Sequence, residues 1–179
     1  MLVQGLSAQV TRDTAMQILD EVRKSVRQTR KNTKVDLYET KSAPFFWIVD
    51  WFAIEIAAET QDSIGSARPT ETHLLEPINV VPAEFPNNPT CVFARLDLSN
   101  GSEAPVMDLL EKMMANTRKE PGNFYYNLYR STLDGSLWMF EAYGDQAALE
   151  THRQSSYYQT NVPQIVKHLA NPIKVHTLV

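Results

Sequence analysis

His152 and Tyr143, nine residues apart, are the side chains in this sequence best suited to handling a proton. An imidazole titrates near neutral pH, so His152 can deprotonate a phenol or an enol, or return a proton to a carbanion. The Tyr143 hydroxyl can orient a carbonyl oxygen, or donate to it where negative charge develops. Tyr157 and Tyr158 follow His152 closely and read as part of a loop that covers its site. A phosphorylated substrate would need a cation nearby, and Arg130 or Arg153 could serve. Asn127 is a further polar candidate for holding a substrate.

The elements that must position these side chains occur twice in the chain. The segment Leu37-Tyr38-Glu39-Thr40 through Trp47-Ile48-Val49-Asp50 returns as Leu128-Tyr129-Arg130-Ser131 through Trp138-Met139-Phe140-Glu141, at a constant offset of 91 residues. The same offset pairs Met16 with Met107, Arg27 with Arg118, Asn32 with Asn123, and Glu59-Thr60 with Glu150-Thr151. Once the first copy has lost four residues, His73-Leu74 and Pro77-Ile78 match His168-Leu169 and Pro172-Ile173. Two copies are too few for a solenoid. They suggest a dimer fused into one polypeptide, with copies at 1–81 and 91–179 and a proline-rich linker at 82–90. The first copy carries Gln61 in place of His152 and Phe52 in place of Tyr143, and neither replacement is an acid or base near pH 7. One competent site is therefore expected, in the second copy, with the first as its structural partner. The matched acids Asp50 and Glu141 read as a structural hydrogen bond or ion pair. Asn127 is matched by Asp36, and Trp47 and Trp138 read as core.

Each copy reads as strand, helix, two strands, short helices and a final strand. Leu2–Leu6 opens the first copy. Met16, Leu19, Val22 and Val26 then recur at three- and four-residue spacing on one helix face. In the second copy Val106, Leu109, Leu110, Met113 and Thr117 form the equivalent stripe, after Ser102 and Glu103 as candidate caps. Glu120-Pro121-Gly122-Asn123 stops that helix. Two strands, 124–131 and 136–143, flank the turn Leu133-Asp134-Gly135. A short helix capped by Asp145 runs to Arg153, a second is expected near 162–169, and a last strand covers 173–178. The order β-α-β-β-α-β is the ferredoxin-like arrangement, an α+β class. Its sheet has one face bare of helices, which must be covered. Two tandem units can meet this need as a pseudo-dimeric α+β barrel, with the sheets face to face and the helices outside.

Bulk composition narrows the function. The 179 residues are 43% hydrophobic and 21% charged, which suits a globular chain. A net charge of −4 and a pI near 5.6 argue against a nucleic-acid partner, which would need a basic face. No stretch reaches the length of a membrane span, and the first residues lack the pattern of a signal peptide. The expected setting is cytoplasmic, with no membrane partner. The single cysteine, Cys91, reads as an incidental thiol in the linker and offers no metal spacing.

The second copy resembles the antibiotic biosynthesis monooxygenase family. The likeness rests on Glu120-Pro121-Gly122-Asn123, on Tyr126-Asn127-Leu128-Tyr129-Arg130-Ser131, and above all on Glu141-Ala142-Tyr143-Gly144-Asp145-Gln146-Ala147-Ala148-Leu149-Glu150-Thr151-His152 with Tyr158 six residues on. That run resembles the signature E-x-[WY]-x-D-x-x-A-x-x-x-H. The resemblance implies a dimeric α+β barrel and places His152 and Tyr143 at a cleft between helices and sheet. It also implies a cofactor-independent monooxygenase on a small phenolic or quinol-type substrate, with no cofactor and no metal. The Glu-Ala-Tyr wording is closest to a branch that includes an isomerase of a phosphorylated signalling molecule. Relatives there often carry a second histidine where Tyr157 stands. The alternative readings are an isomerase or other proton-transfer enzyme on a small metabolite, phosphorylated or not, and a non-catalytic small-ligand-binding module. Heme-degrading relatives have an asparagine on the first strand, and Val92-Phe93-Ala94-Arg95-Leu96 has none. The partners expected are a small-molecule substrate and the chain's own second copy, with further homodimerisation left open.

Overall fold

The computed structural model describes residues 1–6, 10–29, 35–39, 46–50, 69–81 and 88–178. It divides into two compact units, Met1–Glu76 with Ser131–Leu133, and Pro77–Arg130 with Asp134–Val179. The first contains β1 (Leu2–Leu6), α1 (Arg12–Thr29), β2 (Val35–Glu39), β3 (Phe46–Asp50) and most of β4 (Pro69–Asn79). All its strand pairs are antiparallel, in the order β2-β3-β1-β4. Helix α1 buries Ala15, Ile18, Leu19 and Val22 together with Leu6 and Val10. Met16, expected on this stripe, is instead 42% exposed. Ala15-Ile18-Leu19-Val22 satisfies the same helical spacing one residue round the helix, and it brings Ile18 inward as well. The side chain of Val26, and both Phe52 and Gln61, lie outside the described residues.

The second unit holds the candidate site and is described over residues 77–81, 88–130 and 134–178. Its elements are β5 (Thr90–Leu96), α2 (Glu103–Thr117), β6 (Asn123–Ser131), β7 (Leu137–Tyr143), α3 (Gln146–Gln154), α4 (Ser156–Val166) and β8 (Lys174–Leu178). The sheet order is β6-β7-β5-β8, again antiparallel throughout. In both sheets the unit's first strand lies between its third and its last, which is the ferredoxin-like order, and the class is α+β. Helix α2 buries Val106, Leu110, Met113, Met114 and Thr117. Ser102 stands at its N-cap but makes no side-chain cap bond. Asp145 does cap α3, its carboxylate accepting from the Ala148 N–H at 2.8 Å. Gly135 turns the β6–β7 hairpin at φ +73°, where a side chain would be strained.

Two expectations need correction. Cys91 is not in the linker: it is a buried residue of β5, paired with Ala142 and Leu178. The second short helix starts at Ser156 rather than near 162, because Ser155 Oγ caps it by accepting from the Tyr158 N–H at 3.3 Å. Tyr157 and Tyr158 therefore belong to the first turn of a helix, not to a loop. Among the described residues no helix is long and apolar enough to cross a membrane.

Candidate functional site

Strand register decides which residues face the helices. Glu141 of β7 stands opposite Val92 of β5 and Tyr126 of β6, and Met139 stands opposite Ala94 and Leu128. Because side chains alternate along a strand, these residues share one face with Leu137 and Tyr143. Phe93, Trp138 and Phe140 point the other way and pack on one another as a buried aromatic group. On the helix side the packing leaves a cavity of about 240 Å³. Its walls are mostly aliphatic, from Val92, Ala94, Leu110, Met113, Met139 and Ile165, and it admits only a few polar groups: His152, Glu141, Arg153, Tyr126 and Tyr158.

His152 reaches this cavity from α3, where it and Leu149 form the buried side of a short helix. The ring is 1% exposed and lies among the rings of Tyr126, Tyr143, Tyr157 and Tyr158, with centroids 5.0–6.0 Å away. Its Nδ1 sits 3.2 Å and 3.3 Å from the two carboxylate oxygens of Glu120. The Tyr157 hydroxyl donates to the same carboxylate. A carboxylate only accepts, so Nδ1 carries the hydrogen and Nε2 keeps its lone pair. Nε2 is buried and has no hydrogen-bond partner. Burial holds the imidazole below its ordinary value of 6.5, although the Glu120 carboxylate draws it back up. The ring is therefore neutral at pH 7.

Glu120 lies in the turn after α2, thirty-two residues from His152, and a glycine brings the two together. A Cβ on Gly122 would lie 2.5 Å from the Ala148 Cβ of α3. Only a residue without a side chain lets this turn press against α3, and the Gly144 N–H to Gly122 carbonyl bond of 3.0 Å fastens it. Glu120 was legible in the sequence as part of a helix stop and of the family likeness, with no chemical role.

Glu141 is the second polar group deep in the cavity. It is 7% exposed, and its Oε2 accepts from the Tyr143 hydroxyl at 2.9 Å. Burial raises its carboxyl to about 7, against the Tyr143 hydrogen bond and the Arg153 charge, which pull it down. Tyr143 itself is fully buried behind the cavity wall, and burial pushes its hydroxyl far above the ordinary value. Tyr143 thus touches the cavity through Glu141, which the sequence had suggested only as a structural acid.

The remaining candidates are placed as follows. Tyr158 lines the cavity, and Tyr157 packs beside His152 and holds Glu120. Arg130 forms an ion pair with Glu103 in the first turn of α2 and is not part of the wall. Asn127 is buried on the opposite sheet face, where it bonds both the N–H and the carbonyl of Val81 at 3.1 Å. Its Oδ1 also accepts from Arg118 at 3.0 Å. Arg153 does line the cavity, a third exposed and paired with Glu150 at 3.1 Å. Structure brings together His152, Glu141, Tyr158 and Arg153, with Glu120, Tyr143 and Tyr157 directly behind them.

Comparison with known proteins agrees with this organisation. A family model, antibiotic biosynthesis monooxygenase, matches residues 89–164. A Mycobacterium tuberculosis protein named "Putative monooxygenase Rv0793" is 34% identical over 91 residues, covering 51% of this chain and 90% of the relative. Solved structures of two proteins of like description align with the whole chain. The one from Fusobacterium nucleatum has a TM-score of 0.72 at 15% identity, covering 99% of this chain and 90% of that one. The one from Lactobacillus acidophilus has a TM-score of 0.69 at 11% identity, covering 99% and 91%. At those identities the two structures speak to fold alone.

Proposed function

This chain belongs to the antibiotic biosynthesis monooxygenase family, and from that premise we propose that it is a cofactor-independent monooxygenase for a small phenolic or quinol-type substrate. The observation that carries the reading is His152: neutral, oriented through Nδ1 by Glu120, and left with an unpartnered Nε2 in a mostly aliphatic cavity. Nε2 takes a proton from the substrate, and the resulting anion is electron-rich enough to reduce dioxygen. The balance is that of a monooxygenase. One oxygen atom enters a ring carbon as a carbonyl, the hydrogen of that carbon and the hydrogen of the phenolic hydroxyl leave with the other oxygen as water, and the substrate supplies all the electrons. Glu120 stabilises the imidazolium formed meanwhile. Aliphatic walls favour the reaction by keeping bulk water from the anion.

Cavity size bounds the substrate. An engineered cavity of about 150 Å³ holds a benzene ring. A space of about 240 Å³ suits one ring with substituents or two fused rings, and is small for three. The test is oxygen consumption with hydroquinones, naphthols and anthrones, using wild type, His152→Ala and Glu120→Gln. Uptake should be fastest with one- and two-ring compounds, unaffected by chelators, and lost in His152→Ala. Uptake at the wild-type rate in His152→Ala would overturn the reading.

A further inference from the structure

A monooxygenase of this kind needs one base, yet the cavity holds a second proton-handling group. We propose that Glu141 is a catalytic acid of this site, donating to the carbonyl oxygen of an enolisable ketone while His152 removes a proton from the adjacent carbon. This rests on the reading of the cavity as the active site with His152 as base. It narrows the substrate class to one- or two-ring compounds that react through their keto form.

Geometry argues for an acid. Among the described residues Glu141 is the only carboxyl on the cavity wall, set between Met139 and Tyr143 along β7 and between Val92 and Tyr126 across the sheet. The Tyr143 hydroxyl approaches Oε2 as a donor, so a proton on the carboxyl resides on Oε1. Oε1 has no hydrogen-bond partner among the described residues, in a side chain that forms part of the wall. The charged and titratable groups that face it are few: Tyr143 on β7, Tyr126 on β6, His152 and Arg153 on α3, Tyr158 on α4, and Glu120 beyond His152. Arg153 alone among them carries a positive charge at pH 7, and it is already paired with Glu150. An ionised Glu141 would thus be poorly compensated, and burial keeps the carboxyl protonated up to about pH 7. A carboxylic acid retained in an apolar site is a strong hydrogen-bond donor to a developing oxyanion.

The step balances without a co-reactant. The C–H bond alpha to the carbonyl breaks and its proton moves to His152 Nε2. The electron pair becomes the C=C bond of an enol, and the displaced carbonyl pair takes the proton from Glu141 Oε1. Reversal returns each proton to its source. In the presence of dioxygen, return of the enol proton to Glu141 leaves the anion that gives up electrons. A purely structural Glu141 would need only to accept from Tyr143, which a glutamine can also do. Tyr143 is then a positioning residue, acting through Glu141.

Anaerobic exchange of alpha protons with deuterium oxide, followed by NMR, isolates the enolisation from any oxygen chemistry. The probes are 2-tetralone, 1-tetralone and 1-indanone. Wild type should accelerate exchange of at least one of them, and His152→Ala should abolish it. Glu141→Gln should slow it by about 100-fold, the range for losing an acid or an oxyanion donor. Wild-type exchange should also decline as pH rises through about 7, as Glu141 loses its proton, and that limb should vanish in Glu141→Gln. Tyr143→Phe, which keeps the acid, should retain the limb and shift it upward, because the Tyr143 bond lowers the carboxyl's pKa. No catalysed exchange of any probe by wild type overturns the proposal. So does wild-type exchange without a decline above pH 7, a measurement that needs no variant to fold. His152-dependent oxygen uptake without exchange would refute Glu141 as the acid while leaving the monooxygenase reading intact. Exchange that depends on both residues, with no oxygen uptake on any compound, would leave the acid in place and remove the monooxygenase.

Discussion

Substituting Gly122 with alanine tests whether the turn after α2 is what holds Glu120 against His152. The added Cβ would stand 2.5 Å from the Ala148 Cβ and 3.5 Å from its Cα. Carbon atoms pack best at about 3.5–4.0 Å, so one partner must retreat by roughly 1 Å or more. Neither can do so cheaply. Ala148 is held at the start of α3 by its bond to the Asp145 carboxylate, and Gly122 by its carbonyl bond to Gly144. Overpacking of this kind costs about 1–3 kcal/mol. Ala148→Gly alone loses helix propensity, up to about 1 kcal/mol, and creates room for the missing methyl. In the double variant the clash is gone, so Gly122→Ala should cost little once Ala148 is glycine. The expected coupling is about 1–3 kcal/mol, read from urea unfolding of the four proteins at pH 7.5. The His152 ring resonances of Gly122→Ala should also titrate at lower pH, since a displaced Glu120 no longer draws the imidazole up. Costs that add within about 0.5 kcal/mol, with an unmoved His152 titration, would refute the account.

Three further outcomes are expected. NMR titration of His152 should give a value below 6.5, and Glu120→Gln should lower it again; a rise in that variant would contradict the roles assigned to burial and to the carboxylate. Glu141 holds its proton to about pH 7 in the folded chain against an ordinary 4.5, so its contribution to stability is complete below 4.5 and lost as pH rises through 7. At about 1.4 kcal/mol per pH unit this amounts to roughly 3 kcal/mol, so Glu141→Gln should gain on wild type by that order between pH 4.5 and pH 8, and parallel unfolding curves would exclude it. Asn127→Ala removes three part-buried hydrogen bonds to Val81 and Arg118 and should cost about 1–3 kcal/mol in urea unfolding, while oxygen uptake by the folded protein stays within about twofold.

How far the sequence exposes this site follows from the range of the interactions that build it. Local signals were sufficient for much of the second unit: the Asp145 cap, the Gly135 hairpin and the alternation along β7 each depend on residues a few positions apart. Even α1 failed by one position only, since Met16 and Ala15 both fit a helical stripe and the choice belongs to the sheet it packs on. Ser155 was the local signal that would have started α4 at Ser156 and put Tyr157 and Tyr158 on a helix. The acids are a different matter. Residue alternation is enough to set Glu141 on the face of Tyr143, but the sequence cannot say that the space above it is a cavity and not packed side chains. Glu120 is further still from legibility, because its contact with His152 exists only where Gly122 lets two backbone segments approach. Asn127 and Tyr126 are neighbours in sequence, and one bonds Val81 while the other lines the cavity, a division made by the strand pleat. A histidine identified without its carboxylate is an unremarkable base; the Glu120 contact fixes its tautomer, and the buried Glu141 gives the cavity an acid to oppose it. Both depend on tertiary packing, and so the chemistry of the site is set by the two residues whose roles the sequence left least defined.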